Sequence, residues 1–341
     1  MIAVTGATGM VGGHLLWHLL LQNNNVVAFK RRNSNLAALE KIFSFYTKNP
    51  AEKMQLIQWR NVDITDTSSI EAGLEGIKSI YHCAAVVSLS SNSEDIIQTN
   101  VEGTRNIAEA AIKLEIERFC FVSSIAACGN AAFGELIDEN TPLSSLETRS
   151  TYSRSKYLSE QVIKGAISKG LNAVIVNPGV ILGFSGTSSG SSELFARIRK
   201  GLPFYTTGGS GYIDVRDVVK IMIALTNQHI SGENYILIAE NCSNQQILNA
   251  IADGYQKKRP FIKIGYRLMY ILGLTNEWLG KITGKQPTIS RSLAKSATSR
   301  SWYSNKKITD LLQYKFCPIY DCIQDICKYE LLQIKSGKPD N

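Results

Sequence analysis

The sequence contains no long hydrophobic run. A membrane-spanning helix needs about 20 consecutive apolar residues, and the longest late candidate, 268–274, is far shorter. Residues 1–20 already have the pattern of a strand, a turn and a helix, so we expect no cleaved signal peptide. These absences argue against a helical membrane protein and favour a cytoplasmic one.

Paired cysteines and metal-ligand motifs are also missing. The seven cysteines form no CxxC, and the chain has only four histidines. Cys317, Cys322 and Cys327 are spaced five apart, which scatters their side chains around a helix. We therefore expect reduced thiols and no metal site. Four residues on apolar element faces are predicted to pack rather than react: His14, His18, Cys83 and Cys120.

No basic stretch has the interleaved aromatic residues that are typical of nucleic-acid binding. The formal net charge of +8 is dispersed, and its two notable clusters lie at 30–32 and 257–259. We interpret these side chains as solvated surface or as attraction for a phosphorylated cofactor, and expect no nucleic-acid partner.

The first residues of the chain form a strand that enters a glycine-spaced turn. Gly6 allows a sharp backbone turn, Gly9 leaves room for a pyrophosphate, and Gly12 lets the next helix pack on the strand. The helix N-terminus then offers free N–H groups and a positive dipole end to the phosphates. The pattern predicts that a dinucleotide is bound by Gly6, Thr8, Gly9, Met10, Val11 and Gly12.

Strand-like and helix-like segments alternate through the first half of the chain. This pattern predicts an α/β fold with a Rossmann-type, doubly wound parallel sheet. We place strands near 2–5, 25–30, 55–60, 79–84, 118–123 and 172–177, and helices near 10–23, 34–47, 67–75, 93–113 and 152–169. Asp66 is the expected N-cap of the third helix.

The chain is predicted to contain two domains of unequal size. Residues 1–180 form the dinucleotide-binding Rossmann domain, with return segments near 212–240. A smaller, mostly helical C-terminal substrate cap follows at 181–335, and 336–341 is a tail. The Gly/Ser-rich stretch 184–192 is interpreted as a mobile loop over the site.

Tyr152 and Lys156 begin a predicted helix, and their spacing of four places them on one face. A lysine ammonium near a phenol favours the phenolate and lowers the phenol pKa, which suits proton exchange with a carbonyl or an alcohol. The same lysine can hold the nicotinamide ribose. A second pair with this spacing, Tyr303 and Lys307, lacks a glycine turn and a serine-ended strand around it, so we expect it to pack.

Two serines end the fifth predicted strand, at the sheet edge where ligands bind in open α/β folds. Ser124 is predicted to hold the substrate oxygen that Tyr152 protonates. Because side chains alternate along a strand, Ser123 should point elsewhere, nearer to the cofactor.

The glycine spacing and five later motifs resemble the extended branch of the short-chain dehydrogenase/reductase superfamily. These motifs are 61–66 (NVDITD), 82–85 (HCAA), 100–106 (NVEGTRN), 177–179 (NPG) and 212–218 (YIDVRDV). The resemblance implies that Asp63 binds the adenine amine with the Ile64 backbone alongside. It also implies cofactor contacts from Ala84, Ala85, Asn100, Pro178 and Gly179.

The sequence also bears on the reaction. Segment 123–127 lacks the adjacent Asp-Glu pair of nucleotide-sugar dehydratases. Its local sequence looks closer to the dihydroflavonol reductase and hydroxysteroid dehydrogenase groups, which act on ketones and secondary alcohols.

Cofactor preference is predicted from the end of the second strand. An acid there binds the ribose hydroxyls of NAD, whereas an arginine accommodates the 2′-phosphate of NADP. The strand ends in Lys30-Arg31-Arg32 with no acid. This favours NADP with Arg31 as the principal contact, and NAD is the alternative.

We therefore expect a homodimeric oxidoreductase that moves a hydride between the nicotinamide and a small ketone or secondary alcohol. A nucleotide-sugar epimerase with the same Ser-Tyr-Lys site is the nearest alternative, and a non-catalytic NADP sensor is a third. The amphipathic stretch 266–279 is interpreted as part of the cap, although it could instead lie on a membrane surface.

Overall fold

A seven-stranded parallel sheet forms the centre of the computed structural model, in the order β10-β6-β5-β4-β1-β2-β3. The structure describes residues 1–86, 93–132, 134–147, 149–187, 190–228, 230–271, 274–275 and 291–336. The strands of this sheet are β1 Ile2–Thr5, β2 Val26–Lys30, β3 Gln58–Asn61, β4 Ser79–His82, β5 Arg118–Val122, β6 Ala173–Pro178 and β10 Asn234–Leu237.

Helices alternate with these strands and continue beyond them. They are α1 Met10–Leu21, α2 Ala37–Ser44, α3 Pro50–Met54, α4 Thr67–Leu74, α5 Ser93–Lys113, α6 Thr151–Ser168, α7 Ser191–Arg199, α8 Val215–Asn227, α9 Asn244–Gly254, α10 Arg291–Thr298, α11 Lys306–Leu312 and α12 Ile319–Lys335. Five further strands are short: β7 Val180–Leu182, β8 Phe204–Thr206, β9 Gly209–Asp214, β11 Glu240–Ser243 and β12 Ile262–Ile264. Residues 266–271 are also helical.

Both faces of the sheet are buried, because successive side chains on each strand point to opposite sides. Val4 and Ala28 pack into one core with the apolar faces of α1, α2 and α8. Ala3 and Val27 pack into a second core with α4, α5 and α6. The predicted Rossmann-type α/β fold is confirmed, and Asp66 caps α4 by accepting from the Ser68 and Ser69 amides.

The seventh strand comes from the predicted return segment. β10 pairs in parallel with β6, so that Asn234 lies opposite Ile175. The intervening α8 is strongly amphipathic and covers the same face as α1. Residues 215–237 therefore complete the Rossmann sheet although they lie far along the chain.

A further core lies beyond the sheet, and its members come from α7, β9, β11, α9 and α12. Cys322 and Cys327 lie in it, buried as free thiols against apolar neighbours. This core lies within the range predicted for the cap, and the division of the chain into two domains stays a prediction. Residues 276–290 and the tail at 337–341 lie outside the described residues. Within the described part of the chain, no helix is both long and apolar enough to span a bilayer.

The described part of the Gly/Ser-rich stretch makes packing contacts, and its mobility stays a prediction. The Phe184 carbonyl accepts a hydrogen bond from His14 Nε2 at 2.9 Å. An added Cβ on Gly186 would lie 2.4 Å from the Ala38 carbonyl oxygen in α2. Ser185 is buried, and residues 184–187 therefore pack against α2. Residues 188–189 lie outside the described residues.

Candidate active site

The turn after β1 brings the chain to the carboxyl edge of the sheet. Gly6 has φ +64°, and an added Cβ would lie 2.7 Å from the Ala84 backbone nitrogen. An added Cβ on Gly12 would lie 2.3 Å from the Gly6 carbonyl oxygen. Both predicted requirements for glycine, a sharp turn at Gly6 and close helix packing at Gly12, are present in the structure.

The N-terminus of α1 suits an anionic ligand. No side chain caps this helix, and its first turn contains no acid. Its first amides therefore lack an intrahelical partner and stand at the positive end of the dipole. Gly9 is exposed, and Thr8, Met10 and Val11 are half-buried around it. This arrangement fits the pyrophosphate of a dinucleotide.

Two of the predicted cofactor ligands lie at the ends of neighbouring strands. Arg31 is exposed directly after β2, and Asp63 is exposed after β3. Hydrogen bonds from Thr65 lower the pKa of Asp63, with a smaller contribution from the Arg31 guanidinium. Ile64, the next residue, packs its side chain where a Cβ on Gly103 would sit. Arg31 and Asp63 therefore share one electrostatic environment.

A buried histidine holds the turn after β4. His82 Nδ1 lies 2.8 Å from Thr5 Oγ1, and Nε2 lies 3.2 Å from Thr104 Oγ1. The Ala84 amide donates to Thr5 Oγ1 at 3.1 Å. Burial lowers the pKa of His82 to about 3, with a smaller contribution from Lys156. The neutral imidazole fixes the small-residue turn beside Gly6, and sequence reasoning missed this role.

Asn100 uses its amide to position the same turn. Its Oδ1 accepts from the Val86 amide at 2.7 Å, and its Nδ2 donates to the Val86 carbonyl at 3.1 Å. Nδ2 also lies 3.2 Å from Ser155 Oγ in α6. These bonds tie Val86, at the end of the turn, to α6, and the contact of Asn100 with the cofactor stays a prediction.

Ser124 and Tyr152 meet at the carboxyl edge of the sheet. Ser124 directly follows β5, and Tyr152 lies in the first turn of α6, which Ser150 caps by accepting from the Ser153 amide at 3.2 Å. Burial raises the pKa of Tyr152, and a hydrogen bond with Ser124 opposes this increase. The predicted pair of hydroxyls is therefore brought together.

Lys156 lies one helical turn after Tyr152 in α6 and is buried. Its Nζ donates to the Val122 carbonyl at 2.9 Å and lies 5.5 Å from the centroid of the Phe121 ring. Burial lowers the pKa of Lys156 to about 8. We expected Lys156 to lower the phenol pKa of Tyr152, but burial of the phenol outweighs any such effect and the pKa is raised.

Ser123 points away from the sheet edge, as strand alternation requires. Its Oγ donates to Glu160 Oε2 at 2.9 Å, and the side chain is buried. Asn177 Nδ2 donates to the same carboxylate oxygen at 2.8 Å, while Lys164 pairs with Oε1. The Ser123 hydroxyl therefore faces α6, and its predicted proximity to the cofactor stays a prediction.

Sequence reasoning also missed Glu160. It lies one helical turn after Lys156, and this spacing was the available signal that both side chains share the buried face of α6. The carboxylate joins the ends of β5 and β6 beneath the site.

The turn after β6 closes the site on the other side. Asn177 Nδ2 also donates to the Ser124 carbonyl at 3.2 Å. Pro178 and Gly179 are buried, and an added Cβ on Gly179 would lie 2.4 Å from the Gly211 carbonyl oxygen. This turn is therefore held tightly beside Ser124.

The second tyrosine–lysine pair does not form a site. Tyr303 packs against an apolar cluster that contains Ile125 and Ile137. Lys307 Nζ donates to Glu233 Oε2 at 2.6 Å and to the Asn234 carbonyl at 2.9 Å. The prediction that Tyr303 packs is confirmed.

Comparison with known proteins agrees with this architecture. The chain is 31% identical over 279 residues to sterol demethylase protein B of Methylococcus capsulatus, covering 80% of each chain. It is 30% identical over 315 residues to a dihydroflavonol 4-reductase-like protein of Synechocystis, covering 89% of this chain and 87% of the relative. The solved structure of gox2253 superposes with a TM-score of 0.83 at 26% identity, covering 100% and 99% of the two chains.

A family model extends over most of the site. Residues 2–238, which include every glycine, serine, tyrosine and lysine assigned above, match the NAD dependent epimerase/dehydratase family. The chain therefore belongs to this family of NAD-dependent enzymes, within the extended short-chain dehydrogenase/reductase superfamily.

Proposed function

We propose that this enzyme is an NAD(P)-dependent oxidoreductase that interconverts a ketone and a secondary alcohol. The observation that carries the proposal is the Ser124–Tyr152 hydroxyl pair at the carboxyl edge of the sheet, with the buried Lys156 one helical turn further along α6. Ligands of open α/β sheets bind at this edge. When bound, the nicotinamide supplies or accepts the hydride.

The side chains account for the accompanying proton. In reduction, Tyr152 donates its phenolic proton to the substrate oxygen while Ser124 donates a hydrogen bond to the same oxygen. The phenolate left behind is stabilised by the Lys156 ammonium. In oxidation, the phenolate takes the proton back from the alcohol, so the same groups serve both directions.

The raised pKa of Tyr152 is compatible with its role as an acid. A buried neutral phenol remains protonated at neutral pH and is ready to donate. Lys156, with a pKa of about 8, is protonated in a large fraction of molecules at pH 7. Tyr152 and Lys156 can therefore both be protonated when the reduction begins, as the proposed reaction requires.

We propose NADP as the preferred cofactor. Arg31 is exposed at the end of β2, and no acid stands there to bind the ribose hydroxyls. A guanidinium forms charge-assisted hydrogen bonds with a phosphate, so this position favours the extra 2′-phosphate.

The substrate class is supported by two observations. The segment after Ser124 lacks the acidic pair of nucleotide-sugar dehydratases, and the relatives include a protein named for dihydroflavonol reduction. The epimerase alternative is favoured only by the breadth of the family.

Net consumption of NADPH distinguishes a ketone reductase from a nucleotide-sugar epimerase. Purified protein is incubated with NADPH and a panel of ketones, with the Tyr152→Phe variant as control. A reductase oxidises NADPH in proportion to the alcohol formed, and Tyr152→Phe does not. An epimerase consumes no net cofactor, so the absence of NADPH oxidation with every ketone of the panel would contradict the proposal.

A further inference from the structure

A basic, apolar surface lies at the short β8–β12 sheet and the helical segment that follows it. Residues 255–271 contain five Lys or Arg and no Asp or Glu. The same residues contain several large apolar side chains. Sequence reasoning considered a membrane surface only for the helix at 266–279, and it interpreted the basic cluster at 257–259 separately, as solvated surface or attraction for a phosphorylated cofactor.

The structure exposes these apolar side chains along one stretch of chain and on the strand paired with it. β12 pairs with β8 in parallel, so that Ile262 lies opposite Phe204. Phe261 is 61% exposed, Tyr266 49% and Ile271 56%. We call the exposed set the β8–β12 patch; its apolar members are Phe204, Phe261, Ile262, Tyr266, Leu268 and Ile271.

Exposed large apolar side chains are concentrated in the β8–β12 patch. Most other large apolar side chains that are exposed in the described structure, such as Leu21, Leu56 and Leu114, are widely separated along the chain, although Leu332 and Ile334 lie close together in α12. Single exposed apolar residues are normal on a protein surface, whereas a contiguous group marks an interaction site.

The cations beside the patch are available to an external partner. Lys258 Nζ lies 4.6 Å from the centroid of the Phe261 ring, so charge and apolar surface are adjacent. Arg259 is paired with Asp253. Among the described residues, Lys257, Lys263 and Arg267 make no ion pair and are exposed.

We propose that the β8–β12 patch binds the surface of an anionic lipid bilayer. Aromatic and aliphatic side chains would enter the headgroup region, and the lysines would contact the anionic headgroups. An acidic protein would supply the charge but not an apolar phase for six separate side chains. The protein would thus lie on a membrane without spanning it, and this inference does not depend on the proposed reaction.

Vesicle co-sedimentation of the full chain tests the proposal. At about 0.15 M salt, the protein should partition at least about tenfold better onto phosphatidylcholine vesicles with roughly 30% phosphatidylglycerol than onto phosphatidylcholine alone. Combined Lys257→Gln, Lys258→Gln and Lys263→Gln substitutions should remove most of this preference. Phe261→Ser with Tyr266→Ser should weaken binding to anionic vesicles by a similar factor.

The matched controls are Lys48→Gln and Leu56→Ser, which change an exposed lysine and an exposed leucine elsewhere. Both should bind vesicles as the unaltered protein does, and circular dichroism would show that all variants are folded. Absence of binding to anionic vesicles would overturn the proposal. So would patch variants that convert a dimer to a monomer, or raise KM for a ketone, while vesicle binding stays unchanged, since the patch would then be a subunit interface or part of the substrate cleft.

Discussion

Burial determines the protonation states of the titratable residues at the site. Burial raises the pKa of Tyr152 and lowers that of Lys156 to about 8, because a low-dielectric environment disfavours each charged form. The same effect keeps His82 neutral. Each of these groups has a hydrogen-bond partner, so burial selects the protonation state without leaving the polar atoms unsatisfied.

Replacing Tyr152 by Phe should reduce turnover by roughly two to four orders of magnitude. The substitution removes the proton donor but retains the ring, so the affinity for NADPH should stay nearly unchanged. Steady-state kinetics and fluorescence titration of the cofactor measure the two effects. Tyr303→Phe is the matched control and should retain activity; loss of activity there with retention in Tyr152→Phe would place the site on the wrong tyrosine.

Replacing Arg31 by Ala should remove most of the preference for NADPH over NADH. A charged hydrogen bond to the 2′-phosphate contributes about 1–3 kcal/mol, which corresponds to at least a several-fold difference in affinity. Arg32→Ala, at the exposed neighbouring residue, should have a smaller effect. Equal affinity of the unaltered protein for the two cofactors would rule out this role for Arg31.

Replacing Glu160 by Gln should shift the alkaline limb of the activity profile to lower pH. Burial lowers the pKa of Lys156, and Glu160 is among the groups that oppose this decrease. Without the carboxylate the pKa of Lys156 falls further below 8, so the ammonium is lost earlier as the pH rises. The expected shift is roughly half a unit to one unit, measured from kcat against pH.

A purely structural role for Glu160 makes a different prediction. It would lower the free energy of unfolding and leave the shape of the pH profile unchanged. Glu193→Gln, which breaks an exposed pair with Arg197, is the control and should change neither quantity appreciably.

At the scale of elements, helix starts and strand ends position the chemistry. α1 begins at the glycine turn, α6 begins one residue before Tyr152, and β5 ends just before the two serines. A side-chain cap fixes where a helix begins because it satisfies amides that lack an intrahelical partner. The cap of α6 therefore also determines where Tyr152 stands relative to Ser124.

Removal of the α6 cap by Ser150→Ala should affect both stability and catalysis. Loss of an N-cap costs about 1 kcal/mol, and fraying of the first turn should lower kcat severalfold because it displaces Tyr152. Asp66→Ala removes the comparable cap of α4, which contains no catalytic residue. It should lower the free energy of unfolding similarly in urea but leave kcat unchanged; equal kinetic effects would show that the caps act only through stability.

At the scale of the whole molecule, packed apolar regions surround or adjoin one sheet. Two cores cover the faces of the sheet, and a third unites α7, α9 and α12 beyond it. Neutral histidines lie in or beside the sheet region: His14, His18 and His82. Their burial couples the stability of the entire fold to pH.

Stability should fall as the pH is lowered below 6.5. Burial lowers the pKa of His82 from 6.5 to about 3 in the folded protein. Between these values the unfolded chain binds a proton that the folded protein does not, so acidification favours unfolding. For His82 alone the effect is at most on the order of 5 kcal/mol. Urea titrations at pH 7 and pH 4 should show a smaller difference for His82→Gln than for the unaltered protein; an identical difference would exclude His82 as a contributor.

The sequence by itself determined the features that depend on local chemistry. Strand positions such as 2–5, the helix at 93–113 and the Asp66 cap follow from hydrophobic period and capping preference, and the structure confirms them. The glycine turn could be predicted because a local steric constraint requires glycine at each of these positions. The spacing of Tyr152 and Lys156 was readable because it depends only on the helical repeat.

Tertiary structure decided what depends on distant partners. Residues 234–237 became the seventh strand of the sheet because β6 was there to pair with them, and the packing of residues 184–187 depended on α2. Ser123, Glu160 and Asn177 form one network although they lie on three elements. The pKa of Tyr152 moved opposite to the sequence expectation because desolvation depends on everything packed around a group, and the spacing of two residues along a helix carries no information about that burial.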